Sequence, residues 1–120
     1  QLCNRRKIPY MPGCATLTEI STAEELGVEI VKIFPGSSVG GPGFIKAVSG
    51  PCPWTRIMPT GGVSASQENI QSWIGAGACC VGMGSKLITI AAVSAGDYQA
   101  IADNVRQVLA WIRAAREQAG

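Results

Sequence analysis

Lys32 lies in the run Val31-Lys32-Ile33-Phe34-Pro35, a charged residue within a stretch that otherwise reads as a buried strand. Period-two alternation puts Ile30, Lys32 and Phe34 on one face and Val31 and Ile33 on the other. Lysine is among the residues least often buried, so its place between apolar neighbours needs a reason. One reason is snorkelling, in which the stem lies on apolar surface and the ammonium reaches water at the strand end. The other is chemistry: a neutral lysine amine attacks a carbonyl, and the protonated imine that results acts as an electron sink. Apolar neighbours serve the first step, because desolvation disfavours the cation. On this reading Lys32 is an imine-forming nucleophile walled by Ile30 and Phe34.

Two glycine loops could hold an anion. Thr60-Gly61-Gly62 and Gly82-Met83-Gly84-Ser85 each follow an apolar run, and backbone N–H groups without side-chain obstruction can converge on an oxyanion. Ser85 adds a hydroxyl donor. The alternative is that the glycines only permit tight turns with positive φ. Ser64 and Ser66 read as helix caps, with Gln67 at capping-box spacing from Ser64. A proton shuttle is missing: none of the eight acidic residues falls in a strand-top loop, and there is no histidine. Thr16 and Thr60 can orient a carbonyl or a water but are poor general bases at neutral pH. Part of the active site is therefore expected outside the chain.

Composition narrows the partners. At 120 residues and 47% apolar, one globular domain spanning 1–120 is the expectation. A net charge of +2 is too small a surplus to argue for nucleic acid or a membrane surface, which leaves a small molecule. The five cysteines form no CxxC pair, so no metal site is expected; Cys79 and Cys80 are expected on opposite faces of a strand, as reduced thiols in a cytoplasmic protein. No apolar run approaches the ~20 residues that span a bilayer, and no signal-peptide pattern opens the chain.

Elements that would position these residues repeat four times. Strand-like runs end in Gly13, Gly36, Gly61 and Gly84, spaced 23, 25 and 23 residues apart. Helices are predicted over Leu17 to Leu26, Gly43 to Val48, Ser66 to Ala76 and Asp97 to about Ala115; the last has Asp97 as N-cap, and its stripe of Tyr98, Ile101, Val105, Val108 and Ile112 should pack on the sheet. Gln1 to Lys7 reads as a basic last helical turn, so that the chain starts mid-fold. Alternating strands and helices imply a parallel α/β sheet. A (β/α)8 TIM barrel takes about 250 residues, and four units are half of its eight. The chain is thus predicted to be a contiguous half-barrel, with a small flavodoxin-like domain as the rival.

The runs Ile8-Pro-Tyr-Met-Pro-Gly13, Val31-Lys32-Ile33-Phe34-Pro35-Gly36, Ile45-Lys-Ala-Val-Ser-Gly-Pro51, Met58-Pro-Thr-Gly-Gly-Val63 and Gly84-Ser85 together resemble the 2-keto-3-deoxy-6-phosphogluconate (KDPG/KHG) aldolase family. The resemblance implies barrel strands five to eight of a class I aldolase that uses no metal or cofactor. Its reaction yields pyruvate and glyceraldehyde 3-phosphate, with 4-hydroxy-2-oxoglutarate as a further substrate. It implies Lys32 as the imine lysine, Phe34 and Pro35 as pocket wall, and Thr60 as a contact to the keto acid. Gly61, Gly62, Gly84 and Ser85 correspond to the phosphate site. It also implies a homotrimer, and a proton-shuttling glutamate and a carboxylate-binding arginine on earlier strands that have no counterpart here. A non-catalytic phosphate-binding or assembly module is the alternative, and a phosphate-binding isomerase barrel would leave Lys32 unexplained.

Overall fold

The computed structural model describes residues 1–119, in the order α1 (Leu2–Arg5), β1 (Gly13–Cys14), α2 (Leu17–Glu25), β2 (Val31–Ile33), α3 (Gly41–Ser49), β3 (Ile57–Pro59), α4 (Gln67–Gly75), α5 (Ile90–Ala95) and α6 (Tyr98–Ala119). β1, β2 and β3 form one parallel sheet in that order, with Gly13 opposite Lys32 and Lys32 opposite Met58. The expected α/β alternation with parallel strands is therefore present. Strands are shorter than predicted. The first was expected from Ile8 but pairs only at Gly13–Cys14: Pro9 and Pro12 have no N–H to donate, and β1 is an edge with a partner on one side only.

The fourth run does not form a regular strand. Thr60 and Gly82 make an isolated parallel bridge, and the Cys79 and Gly82 N–H groups donate to Ile57 and Pro59 carbonyls, both at 2.9 Å. Those acceptors are two residues apart on β3, whereas the donors are three apart. The fourth run thus carries one extra residue, a bulge, which explains why the ladder fails there.

Each helix has a local cause at its start. α2 begins with a capping box in which the Thr16 hydroxyl accepts from the Glu19 N–H and the Glu19 carboxylate accepts from the Thr16 N–H. α6 begins where the Asp97 carboxylate accepts from Ala100 N–H at 2.9 Å, as predicted. At α4 one of the two expected caps forms: the Ser66 hydroxyl accepts from Asn69 N–H, as predicted, while the Ser64–Gln67 box does not form. α5 was not predicted; the Thr89 hydroxyl caps it and Gly96, at φ 66°, closes it. α6 packs mainly against α4 instead of lying on the sheet.

The core lies on one side of the sheet. Val31, Ile33 and Ile57 are each 1% exposed and meet Ile20, Ile45, Ile70 and Trp73 from the helices, while Lys32 and Met58 between them are half-buried on the opposite face. One face is covered and the other is open. The radius of gyration, 15.4 Å, exceeds the roughly 13.6 Å expected of a compact domain of this length, as a one-sided slab requires.

Candidate active site

Lys32 stands in the middle of the central strand on the open face, as the alternation predicts. The snug apolar wall expected around it is not supplied by this chain: Lys32 is half-buried, and Phe34 is 53% exposed. Instead the Lys32 ammonium lies 5.2 Å from the centroid of the Phe34 ring, a cation–π distance that holds the amine near the carboxyl end of the sheet. Pro35 follows at the surface.

Beyond the strands the loops after β2 and β3 continue to pair. Thr60 N–H donates to Ile33 O at 2.9 Å, Gly36 N–H to Thr60 O at 2.8 Å, and Ser37 N–H to Gly61 O at 3.1 Å. Close approach makes glycine necessary at Gly36, where a Cβ would stand 2.7 Å from the Gly61 carbonyl oxygen. Gly62 has φ 79°, and a Cβ there would overlap the Ser37 side chain. Asn69 clamps this loop from α4: its side-chain oxygen accepts from Ser64 N–H at 2.8 Å, and its amide nitrogen donates to Gly62 O at 3.1 Å. The Trp73 indole N–H adds a longer bond to the same carbonyl at 3.4 Å. Neither Asn69 nor Trp73 was singled out from sequence; an Asn in the first turn of a helix that follows a glycine loop was the available signal.

The Thr60–Gly82 bridge brings the two glycine loops side by side, since Gly61-Gly62 and Met83-Gly84-Ser85 each start one residue after it. Among the described residues no acceptor takes the N–H groups of Gly61, Gly62, Gly84 or Ser85, so four backbone donors are left unpaired there. Thr60 Oγ1, although buried, has no hydrogen-bond partner among the described residues, and it packs directly over Gly82. An orphaned buried hydroxyl is rare enough to need an explanation. A ligand carbonyl or hydroxyl reaching this end of the sheet supplies one.

Thr16 does not join this group, because its hydroxyl is committed to the α2 cap. Glu19 reaches back from α2 to the loop after β1, yet its Oε2 already accepts from Ala15 N–H, Thr16 N–H and the Thr16 hydroxyl. Those bonds, the Ala15 N–H foremost, lower its pKa and keep it an anionic cap in place of a proton shuttle. Cys79 and Cys80 also depart from expectation: their sulfurs do not point to opposite faces but lie 3.7 Å apart. Among the described residues no group of three or more His, Cys, Asp or Glu side chains is placed to hold a metal, and no helix is long and apolar enough to cross a membrane.

A separate apolar groove of about 910 Å3 runs along the free edge of β1, lined in part by Leu2, Ile8, Tyr10, Met11, Leu26 and Ile30.

Comparison with known proteins gives this arrangement a family. The sequence profile of the KDPG and KHG aldolases matches residues 1–104. The 2-dehydro-3-deoxy-6-phosphogalactonate aldolase of Escherichia coli is 40% identical over 118 residues, covering 94% of this chain and 53% of that protein. The 2-dehydro-3-deoxy-phosphogluconate aldolase of Pseudomonas aeruginosa is 36% identical, over 86% of this chain and 46% of its own. Among solved structures, the KDPG aldolase of Legionella pneumophila, with pyruvate captured as a covalent carbinolamine intermediate, superposes with a TM-score of 0.72 at 30% identity, over 81% of this chain and 46% of that one. This chain thus spans about half the length of the relatives it matches. It belongs to the KDPG and KHG aldolase family.

Proposed function

We propose that this chain is the catalytic-lysine half of a class I aldolase that cleaves a 2-keto-3-deoxy sugar phosphate into pyruvate and a phosphorylated aldehyde. The observation that carries the reading is the convergence at one end of the sheet of Lys32, the unpartnered Thr60 hydroxyl and four free backbone donors. The Lys32 amine adds to the C2 carbonyl of the keto acid, and loss of water gives the imine. A base removes the proton of the C4 hydroxyl, the cationic nitrogen accepts the electron pair of the C3–C4 bond, and the aldehyde leaves. Protonation of the enamine at C3 and hydrolysis release pyruvate and restore the lysine. The reaction needs no metal or organic cofactor.

Phe34 and Pro35 flank the keto acid, Thr60 orients its carbonyl end, and Gly61, Gly62, Gly84 and Ser85 take the phosphate. The protonating group and the carboxylate-binding cation come from further βα units of the complete (β/α)8 barrel. Those units would cover the apolar groove on the β1 edge and the open face around Lys32. The whole enzyme acts as a cytoplasmic homotrimer on a 2-keto-3-deoxy-6-phosphogluconate or galactonate, and also on 4-hydroxy-2-oxoglutarate.

Incubation with pyruvate and borohydride tests this directly: a reduced pyruvyl adduct should appear at Lys32 and be absent from Lys32→Ala. Cleavage activity surviving that substitution in the full-length enzyme would overturn the proposal. A second reading, a phosphate-binding module without turnover, is favoured by one observation: Glu19, the carboxylate nearest the strand tops in sequence, is spent on a helix cap. It predicts sugar-phosphate binding by the 120-residue chain without cleavage, and measured turnover by that chain refutes it.

A further inference from the structure

The bulge in the fourth run has produced a pair of thiols that the aldolase chemistry does not use. In a regular strand adjacent side chains point to opposite faces. Here the extra residue between the Cys79 and Gly82 hydrogen bonds turns both sulfurs to one side, 3.7 Å apart. The bulge is braced from α6, where the Arg116 guanidinium donates to Cys79 O at 2.6 Å. Both cysteines are only half-buried, so the pair is open to a small reagent.

The spacing discriminates between ligands. A direct disulfide needs sulfurs about 2.05 Å apart and normally Cα atoms at least about 4.4 Å apart. Neighbouring residues across a trans peptide have Cα atoms about 3.8 Å apart, so closing that bond distorts the chain. A soft centre bonded to both sulfurs is different. Two bonds of roughly the 2.3 Å metal–thiolate length, at the angle of roughly 100° of a pyramidal three-coordinate centre, hold sulfurs about 3.5 Å apart, close to the spacing here. A resident zinc ion calls for four protein ligands, and among the described residues no third one stands nearby. A trivalent arsenic centre that already carries one organic group needs only two thiols.

We propose that Cys79 and Cys80 form a vicinal dithiol site that captures a trivalent organoarsenical of the arsenoxide class. The step is a condensation without redox change: R–As=O and two S–H groups give a cyclic R–As(S)2 dithiolate and one water. Two As–S bonds form, the bond to oxygen breaks, and both thiol protons leave on that oxygen. Burial, with the neighbouring Cys79, pushes the Cys80 thiol up to about 11. The condensation consumes Cys80 as its protonated thiol, and the smaller thiolate fraction slows oxidation at that sulfur. The site needs neither Lys32 nor turnover, so it stands apart from the aldolase reading.

The test is intact-mass analysis of the chain incubated with phenylarsine oxide in excess glutathione, a monothiol that strips arsenic from single cysteines. The wild type should retain one phenylarsenic unit, with loss of one water, and release it to a dithiol such as dimercaptopropanol. The Cys79→Ser and Cys80→Ser variants should each lose the adduct, while a triple Cys3→Ser, Cys14→Ser, Cys52→Ser variant keeps it. The triple variant guards against misreading a folding defect, because it perturbs three other sites and must still bind. No adduct on wild type, or an adduct that persists on Cys79→Ser or Cys80→Ser, overturns the proposal.

Discussion

On the helix side of the sheet Val31, Ile33 and Ile57 are each 1% exposed, whereas Lys32 and Met58, one residue along the same strands, are half-buried on the other side. The helix side is completed by this chain's own helices, with Ile20, Ile45, Ile70 and Trp73 from α2, α3 and α4 in its core. The other side is left uncovered by these helices. It collects the groups that a packed core excludes: an amine, an orphaned hydroxyl and unpaired N–H groups. Stability and chemistry should therefore separate by face.

The sharpest break of that separation comes from Trp73, 2% exposed at the centre of the helix layer. Trp73→Ala should cost about 3–5 kcal/mol in urea unfolding. Lys32→Ala should stay within about 0.5 kcal/mol of wild type while losing all pyruvate trapping. Equal destabilisation by the two substitutions would show that the faces are not distinct. Gly36→Ala comes next, because its new Cβ would stand against the Gly61 carbonyl, which is backbone and cannot rotate away. A loss of about 1–3 kcal/mol is expected, together with weaker imine formation as the two loops part.

Thr60→Val should divide the two properties in opposite directions. Its hydroxyl is buried without a partner, a situation that costs about 1–3 kcal/mol, so the isosteric methyl should leave stability unchanged or raise it by about 1 kcal/mol. The yield of borohydride-trapped pyruvate should fall if the Thr60 hydroxyl orients the keto acid as proposed. A destabilised Thr60→Val variant would mean that the hydroxyl holds the fold and is not kept for a ligand.

What was legible in the sequence follows the same division. The face of Lys32 was readable because a period of two is fixed by the backbone, and the loops were readable because a Cβ would overlap its neighbours at Gly36 and Gly62, while Gly61 holds φ 84°. The α6 cap at Asp97 was local and was found. The bulge was not, because Cys79 and Cys80 are equally compatible with a strand and only the ladder with β3 shows the extra residue. Asn69 as a clamp needed the loop's carbonyl in place. Two misses did have signals. Pro9 and Pro12 argued against a long first strand, and Thr89 with Gly96 bracketed the helix that was passed over.

The smallest effect, and the one that isolates the helix side most cleanly, belongs to Glu19. Its carboxylate accepts from Ala15 N–H at 2.8 Å, Thr16 N–H at 2.9 Å and the Thr16 hydroxyl at 3.0 Å, and these bonds hold its pKa below the ordinary carboxylate value. A depressed folded-state pKa means that the cap's contribution is present above the unfolded value near 4.3 and is lost as pH falls through the folded one. Glu19→Gln keeps a carbonyl acceptor but removes the titration. The difference in urea midpoint between wild type and Glu19→Gln should be constant above about pH 5 and shrink towards zero as pH falls through the lowered folded-state value. A gap that stays constant into acid would show that the charge on Glu19 adds nothing to the cap. Because α2 packs on the covered face, the pyruvate adduct per folded molecule should be the same in both proteins at neutral pH; a fall in the variant would tie the α2 cap to the lysine face and merge the two regions.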